Sequence, residues 1–197
     1  MTLGEKQLML SNYLVENRTQ LSPGQVETVW CEANEFLNGA QGERSYYTDD
    51  ALLHLKGEDL FKFVADYIAK RVEITGKTIL DVAAGIHCLS SVELTNKGAT
   101  VVAMDPLAAP KYNNGFGVMK CSFNRTIGTR GVDLVTCIRG GDCWDEVMIA
   151  CISDTTKFVI VFPNNNDVSA VGRLSRIPDV QVEKLNLSIP YIVATNL

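Results

Sequence analysis

The chain has 197 residues, of which 46% are hydrophobic and 21% are charged, and its formal net charge is -5. This composition is too apolar for a disordered protein, and the length is typical of one domain with at most an appendage. Non-specific binding to DNA or to anionic membranes is not expected, because both surfaces attract clustered lysine and arginine.

The sequence carries no obvious signal for membranes or metals. No run of apolar residues approaches the roughly 18–20 needed to cross a bilayer. The first residues do not resemble a signal peptide, because Glu5 and Lys6 precede a short and broken apolar stretch. Six cysteines and two histidines occur without a Cys-x-x-Cys pair, so we expect reduced thiols and no metal site. We therefore expect a cytoplasmic protein.

Residues 1–75 are predicted to form a helical extension or lid. Residues 22–25 form a helix start signal, with Ser at the cap, Pro at the first helical position and Gln closing a capping box. A weaker helix is expected at 5–16. A further helix is predicted from a point near Glu58, with Gly76 ending the run, because its apolar residues recur on one face.

Residues 76–197 are predicted to form an α/β domain. Strands are expected at 78–83, 100–104, 118–121, 132–138 and 158–162, and helices at 89–96 and 144–152. Strands that are apolar on both faces and alternate with helices are typical of a mostly parallel sheet with helices on both faces. The candidates 180–187 and 191–196 are joined by a link too short for a crossover helix, which predicts a C-terminal antiparallel hairpin.

Residues 79–105 have the features of a nucleoside-binding segment. A buried strand ends in the small residues Ala83, Ala84 and Gly85, which let a ligand approach the backbone closely. The helix that follows presents unpaired amides at its N-terminus. Asp105 stands twenty residues after Gly85, at the tip of a second buried strand, where an acidic side chain would hold the hydroxyls of a ribose.

This pattern resembles the class I S-adenosylmethionine-dependent methyltransferases, a family with a Rossmann-like fold. Their first motif is an apolar strand, an acidic residue and a glycine-rich turn, and residues 81–85 (Asp-Val-Ala-Ala-Gly) are similar to it. The resemblance implies S-adenosylmethionine as the cofactor. It also implies a set of cofactor-binding residues, namely Asp81, Ala83, Ala84, Gly85, Asp105, Pro106, Ser122, Phe123, Cys137 and Ile138.

The resemblance also assigns roles to these residues. Asp81 and the turn after it would lie against the methionyl part of the cofactor, and Asp105 would accept both ribose hydroxyls. Ser122 and Phe123 would flank the adenine. From its position at the mouth of the sheet, its two flexible glycines and its charged and aromatic residues, we expect the loop 139–144 to face the methyl acceptor. Within that loop the expected substrate-binding residues are Arg139, Asp142 and Trp144.

Departures from the family pattern keep other interpretations open. His87 stands where the family usually has a third glycine, and no acidic residue follows the third strand to bind the adenine amino group. A catalytically inactive module that binds a ligand or a protein is therefore the alternative hypothesis. A dinucleotide oxidoreductase is less favoured, because only the middle glycine of its Gly-x-Gly-x-x-Gly pattern is present.

Several candidate residues also have purely structural interpretations. Asp81 can organise the turn by accepting hydrogen bonds, and Cys137 can be a core residue. Asp142 can cap a helix that starts at Cys143. A small-molecule acceptor is favoured by default, because no basic patch with interleaved aromatic residues indicates RNA or DNA. The sequence does not define the oligomeric state.

Overall fold

The structure is a computed structural model that describes residues 58–110, 115–163 and 168–197. The chain divides into two compact units, residues 1–60 with 187–189 and residues 61–186 with 190–197. In the first unit, Glu58 accepts a hydrogen bond of 2.8 Å from the backbone N–H of Ser188. The helices predicted at 5–16 and after residue 22 lie outside the described residues, and the assignment of 1–75 to a helical extension stays a prediction.

The second unit is built on a seven-stranded sheet. Its strands are β1 (Thr78–Val82), β2 (Thr100–Met104), β3 (Gly117–Met119), β4 (Leu134–Ile138), β5 (Lys157–Pro163), β6 (Gln181–Leu185) and β7 (Tyr191–Thr195). Their spatial order is β3-β2-β1-β4-β5-β7-β6. Strand β7 is antiparallel to both of its neighbours, and all other neighbouring pairs are parallel. This arrangement confirms the predicted Rossmann-like fold class, including the antiparallel pair at 181–195.

The described helices are α1 (Leu60–Ala69), α2 (Leu89–Asn96), α3 (Trp144–Asp154) and α4 (Val168–Leu174), with a 3₁₀ turn at Gly141–Cys143. Helix α2 has the predicted bounds, whereas α1 ends well before Gly76. Helix α4 was not predicted; it has only seven residues and contains Gly172. Among the described residues, no helix combines the length and apolar character that a bilayer span requires. The cytoplasmic location stays a prediction.

The middle of the sheet forms the core. Every residue of β4 and β7 is buried, and so are four of the five residues of β1. Their β-branched and aromatic side chains fit a sheet covered on both faces. Val135, Phe158 and Ile160 belong to one apolar cluster and have no exposed surface. Burying each side chain of this kind contributes about 1.5–3 kcal/mol, which fixes the strand ends on which the site is built.

Candidate functional site

The loops that follow β1, β2, β4 and β5 emerge at the same edge of the sheet, because these strands are parallel neighbours. The chain changes its direction of travel across the sheet between β1 and β4, and ligands of open parallel sheets bind at such a point. We call residues 83–88, after β1, the first bend. Residues 139–143, after β4, are the second bend.

The first bend turns sharply. Ala83, Gly85 and Cys88 have positive φ angles of 55°, 75° and 51°. This left-handed region suits glycine and costs a residue with a Cβ about 1–2 kcal/mol. A Cβ built on Gly85 would meet no atom within 4 Å. The bend therefore has open space beside Gly85, and a side chain at this position would be strained by its backbone conformation rather than by a clash.

Asp105 connects the tip of β2 to the first bend. One carboxylate oxygen, Oδ2, accepts a hydrogen bond of 3.0 Å from the Gly85 N–H. The other, Oδ1, accepts one of 2.8 Å from the Leu107 N–H. The Ala84 N–H donates to the Met104 carbonyl at 3.2 Å, which fixes the bend to the end of β2. The structure thus brings together Gly85 and Asp105, twenty residues apart in the sequence.

Asp81 lies within β1, two residues before the first bend, and is completely buried. Its oxygens accept hydrogen bonds from the hydroxyls of Ser90 (2.5 Å), Ser91 (2.6 Å) and Thr136 (2.8 Å). Burial raises the pKa of the Asp81 carboxyl, and the three hydroxyl hydrogen bonds oppose that change. Asp81 therefore fastens β1 to the first turn of α2 and to β4. Its contact with a cofactor stays a prediction.

The predicted cofactor-binding residues differ in how much surface they present. Pro106 and Ser122 are exposed, and Ala83, Gly85 and Asp105 are half-buried. The other predicted residues are buried, with between 0% and 8% of their surface exposed: Asp81, Ala84, Phe123, Cys137 and Ile138. Phe123 and Cys137 belong to the apolar core cluster. The exposed and half-buried residues present most of the surface that a ligand could touch. The roles of all ten residues stay predictions.

His87 and Cys88 complete the first bend. Both ring nitrogens of His87 are buried, in the segment where the family pattern has a glycine. Cys88 occupies the cap position of α2 in a left-handed conformation, and its thiol donates to the Gly85 carbonyl at 3.4 Å. Burial raises the pKa of the Cys88 thiol to about 12. Cys88 is therefore an inert core thiol at neutral pH.

The second bend packs directly against two thiols. A Cβ built on Gly140 would lie 2.2 Å from Cys137 Sγ and 3.2 Å from Cys143 Sγ. The φ angle of Gly140 is -69°, which any residue adopts, so glycine is required here for space. This packing is a steric reason for glycine at 140, and the flexibility expected from the sequence stays a prediction. Gly141, with a φ angle of 57°, does take the left-handed conformation.

Aromatic side chains contact two of the predicted acceptor-binding residues, Trp144 and Arg139. The Trp144 ring stacks on Phe162, with centroids 5.1 Å apart and an interplanar angle of 15°. The Arg139 guanidinium lies 4.9 Å from the centroid of the Phe61 ring. Helix α3 begins at Trp144 with Cys143 at the cap position, which the structural alternative had assigned to Asp142. The side chain of Asp142 lies outside the described parts of the structure.

Sequence reasoning missed five residues that shape this region. Ser90, Ser91 and Thr136 hold Asp81, and Phe61 and Phe162 pack against Arg139 and Trp144. Two adjacent serines in the first turn of a helix, and a threonine within an apolar strand, were the available signals for the hydroxyl cluster. The aromatic contacts join residues far apart in the chain and left no local signal.

Three solved structures show where this fold occurs. Magnesium protoporphyrin IX methyltransferase from Synechocystis, solved with bound S-adenosylmethionine, is 14% identical, with 98% of this chain and 97% of that chain covered and a TM-score of 0.54. A methyltransferase from Geobacter sulfurreducens is 11% identical, with 85% and 98% covered and a TM-score of 0.51. The chain has the Rossmann-like fold of class I methyltransferases.

The third structure carries a different activity in its name. Precorrin 8W decarboxylase from Methanobacterium thermoautotrophicum is 14% identical, with 68% of this chain and 90% of that chain covered and a TM-score of 0.52. No family model and no curated protein matches the chain. At these identities the methyltransferase-like fold is what the chain shares with its neighbours, and a fold alone does not determine a reaction.

Proposed function

We propose that this chain is an S-adenosylmethionine-dependent methyltransferase that acts on a small-molecule acceptor. The observation that carries the proposal is the hydrogen bond of 3.0 Å from the Gly85 amide to the Asp105 carboxylate. This bond holds Asp105, at the tip of β2, against the first bend, which follows β1. Open space lies beside Gly85. The bound S-adenosylmethionine in the Synechocystis enzyme, which has the same fold, supports this choice of cofactor.

The residues at the first bend fit S-adenosylmethionine. Gly85 has no Cβ, so the cofactor can approach the backbone. The Asp105 carboxylate offers about four lone-pair positions and uses two of them for the amides of Gly85 and Leu107, which leaves acceptor positions for ribose hydroxyls. Exposed Pro106 and Ser122 are available to flank an adenine ring.

The acceptor would bind at the second bend. The cofactor supplies a methyl group on a positively charged sulfur, and displacement at such a group depends on alignment and on exclusion of water. Trp144 and Phe162 form a stacked apolar wall that would exclude water. Arg139, held over the Phe61 ring, and Asp142 are proposed contacts of the acceptor. This chemistry requires no obligatory catalytic base in the chain.

A small molecule is the proposed acceptor class. The chain has 23 acidic and 18 basic residues, so its overall field repels the phosphates of nucleic acid. The aromatic pair beside the second bend is suited to a compact apolar group.

A second candidate function is favoured by His87. Its side chain occupies the first bend with both ring nitrogens buried, where the family pattern has a glycine. A side chain there would compete for the space of the cofactor carboxylate. The second candidate is therefore a methyltransferase-like module that binds a ligand or a protein without catalysis.

Calorimetric titration with S-adenosylmethionine tests the proposed function. Asp105→Ala should weaken binding by about 1–3 kcal/mol, or roughly 5- to 150-fold, because hydrogen bonds to a charged group are lost. Asp133→Ala is the matched control: Asp133 also accepts a backbone N–H, from Thr78 at 2.8 Å, at the opposite ends of the strands. The control should bind as the unmodified protein does.

The outcomes separate the hypotheses. An unmodified chain that shows no binding would overturn the choice of cofactor, and unchanged affinity of Asp105→Ala would overturn the placement of its ribose. Formation of S-adenosylhomocysteine with a fractionated small-molecule extract supports catalysis. Cofactor binding with no such product from any fraction favours the inactive module.

A further inference from the structure

The second bend encloses a pair of free thiols. Both cysteines are free, and both sulfurs lie next to Gly140. A Cβ built on Gly140 would be 2.2 Å from Cys137 Sγ and 3.2 Å from Cys143 Sγ. Two sulfurs that close to one point are neighbours of each other. The two thiols also influence each other's ionisation: the Cys143 thiol raises the pKa of Cys137, and the Cys137 thiol lowers the pKa of Cys143.

The two thiols differ in accessibility. Cys137 is completely buried, whereas Cys143 is half-buried and stands at the cap position of the 11-residue helix α3. Its thiol donates to the Gly140 carbonyl at 3.0 Å. The neighbouring Cys137 thiol lowers the pKa of Cys143, although burial and the charges of Asp145 and Glu146 oppose this. A helix N-terminus also stabilises a thiolate.

We propose that Cys137 and Cys143 are an oxidation site, at which a hydroperoxide converts the two thiols into a reversible intramolecular disulfide. Cys143 is the thiol that reacts first, because it is only half-buried whereas Cys137 is completely buried. Cys137 is the resolving thiol, because it is held against Cys143 and protected from the oxidant. The backbone of the second bend must move when the disulfide forms. Arg139 and Gly141, which have left-handed backbone conformations, lie within this bend.

The chemistry balances with the hydroperoxide as the only oxidant. The Cys143 thiolate attacks the terminal peroxide oxygen, the O–O bond breaks, and the leaving oxygen takes a proton to give an alcohol and a Cys143 sulfenic acid. The Cys137 sulfur then attacks the Cys143 sulfur, loses its proton, and displaces the sulfenic hydroxyl as water. Two thiols and one hydroperoxide thus yield one disulfide, one alcohol and one water. Exchange with an external thiol reverses the reaction.

The disulfide would change the site described above, an effect that rests on the proposed function. A disulfide sets the two sulfurs about 2.05 Å apart, closer than any hydrogen-bonded pair of thiols. The backbone of the second bend must follow Cys143 inward. Gly140 also lies close to the first bend, because a Cβ built on it would be 3.4 Å from the Ala83 Cβ. We therefore expect oxidation to weaken cofactor binding.

Peptide mapping tests the proposal directly. The reduced full chain is treated with one equivalent of hydrogen peroxide, and the remaining thiols are blocked with N-ethylmaleimide. Trypsin cuts after Arg139, between the two cysteines, so the disulfide joins peptide 131–139 to peptide 140–157. Because peptide 140–157 also contains Cys151, the linked pair must persist in Cys151→Ala and disappear in Cys143→Ser.

Other products would overturn the proposal. A Cys143 sulfinic acid without a linked peptide, a disulfide to Cys121, or a link lost in Cys151→Ala would each show that Cys137 is not the resolving thiol. Blocked cysteines at both positions after peroxide treatment would show that the pair is inert. None of these results depends on whether the chain binds a cofactor.

Titration of the same samples with S-adenosylmethionine measures the consequence. The oxidised protein should bind at least about tenfold more weakly than the reduced protein, and a dithiol reductant should restore binding. Peroxide should leave the affinity of Cys143→Ser where it was before treatment. Equal affinities of both oxidation states would overturn the effect on the site. Absence of binding in both states, together with a linked peptide, would contradict the proposed function and leave the oxidation site standing.

Discussion

The two bends at the carboxyl edge of the sheet are held by different chemistry. The first bend is tied down by oxygen: Asp105 accepts two backbone amides, and the buried Asp81 accepts three hydroxyls. The second bend rests on sulfur, with Gly140 packed against Cys137 and Cys143. A methyl group on Gly140 or oxidation of the thiols acts directly on the sulfur contact, whereas neither removes a donor or an acceptor from the oxygen network.

This difference suggests a division of labour between the bends. A site that binds the same cofactor in every reaction benefits from hydrogen-bond acceptors in fixed positions. Hydrogen bonds to buried carboxylates are directional and strong, and they provide this. A loop that faces the methyl acceptor benefits from packing contacts that a small change in structure can alter. Substitutions that act on one bend and spare the other test this comparison.

The largest effect is expected for Asp81→Ala. Removal of the shared acceptor leaves the hydroxyls of Ser90, Ser91 and Thr136 without it in a buried site, so the free energy of unfolding should fall by about 2–4 kcal/mol. Urea denaturation measures this change. The exposed Asp133→Ala, which loses a backbone contact, should cost about 1 kcal/mol or less. Equal losses would contradict the claim that Asp81 anchors the first bend.

The next effect is expected for Gly140→Ala. The new Cβ would overlap Cys137 Sγ, so the free energy of unfolding should fall by about 1–3 kcal/mol. In the double variant with Cys137→Ala the sulfur is absent, and the loss should be smaller than the sum of the two single losses. As a control, a Cβ on Gly172 in α4 meets no atom, and Gly172→Ala should be neutral or stabilising. Additive losses would contradict the steric role of Cys137.

The smallest expected effect is on the pH dependence of stability, which should differ between the unmodified protein and Asp81→Asn. Burial raises the pKa of Asp81 in the folded protein above its ordinary value of 3.8, so its protonated form is favoured by folding. The corresponding stability is present below that value and is lost as the pH rises through the raised pKa. The Asp81→Asn variant lacks this dependence. Thermal unfolding of both proteins from pH 4 to 8 measures the difference.

A pH-independent difference between the two proteins would contradict the raised pKa. A difference that instead grew in favour of aspartate as the pH rises would show that the hydroxyl hydrogen bonds outweigh burial.

Much of the fold could be predicted from local patterns. The β-branched run at 100–104 and the helical stretch at 89–96 have the predicted bounds, because a continuous β-branched run is typical of a buried strand and Gly98 follows the helix. The small residues of the first bend indicated its turn, and the position of Asp105 relative to Gly85 indicated their approach. These features depend on residues close in sequence or on the fixed geometry of a strand–helix–strand unit.

The contacts that distinguish the two bends could not be predicted in the same way. The contact of Thr136 with Asp81 depends on β4 pairing with β1, across 55 residues. The sequence shows that Gly140 has no side chain, which is typical of a flexible position. It does not show that the Cys137 sulfur occupies the space where a Cβ would lie. In both cases the decisive partner comes from tertiary packing.

The position of β7 has a consequence for how the chain is made. This strand is synthesised after β5 and β6 but lies between them, so β6 has no neighbouring strand until Tyr191–Thr195 has docked. As the nascent polypeptide leaves the ribosome, the β5 edge therefore stays open to other chains until late. We expect translational pausing after residue 185 to promote aggregation of the emerging protein.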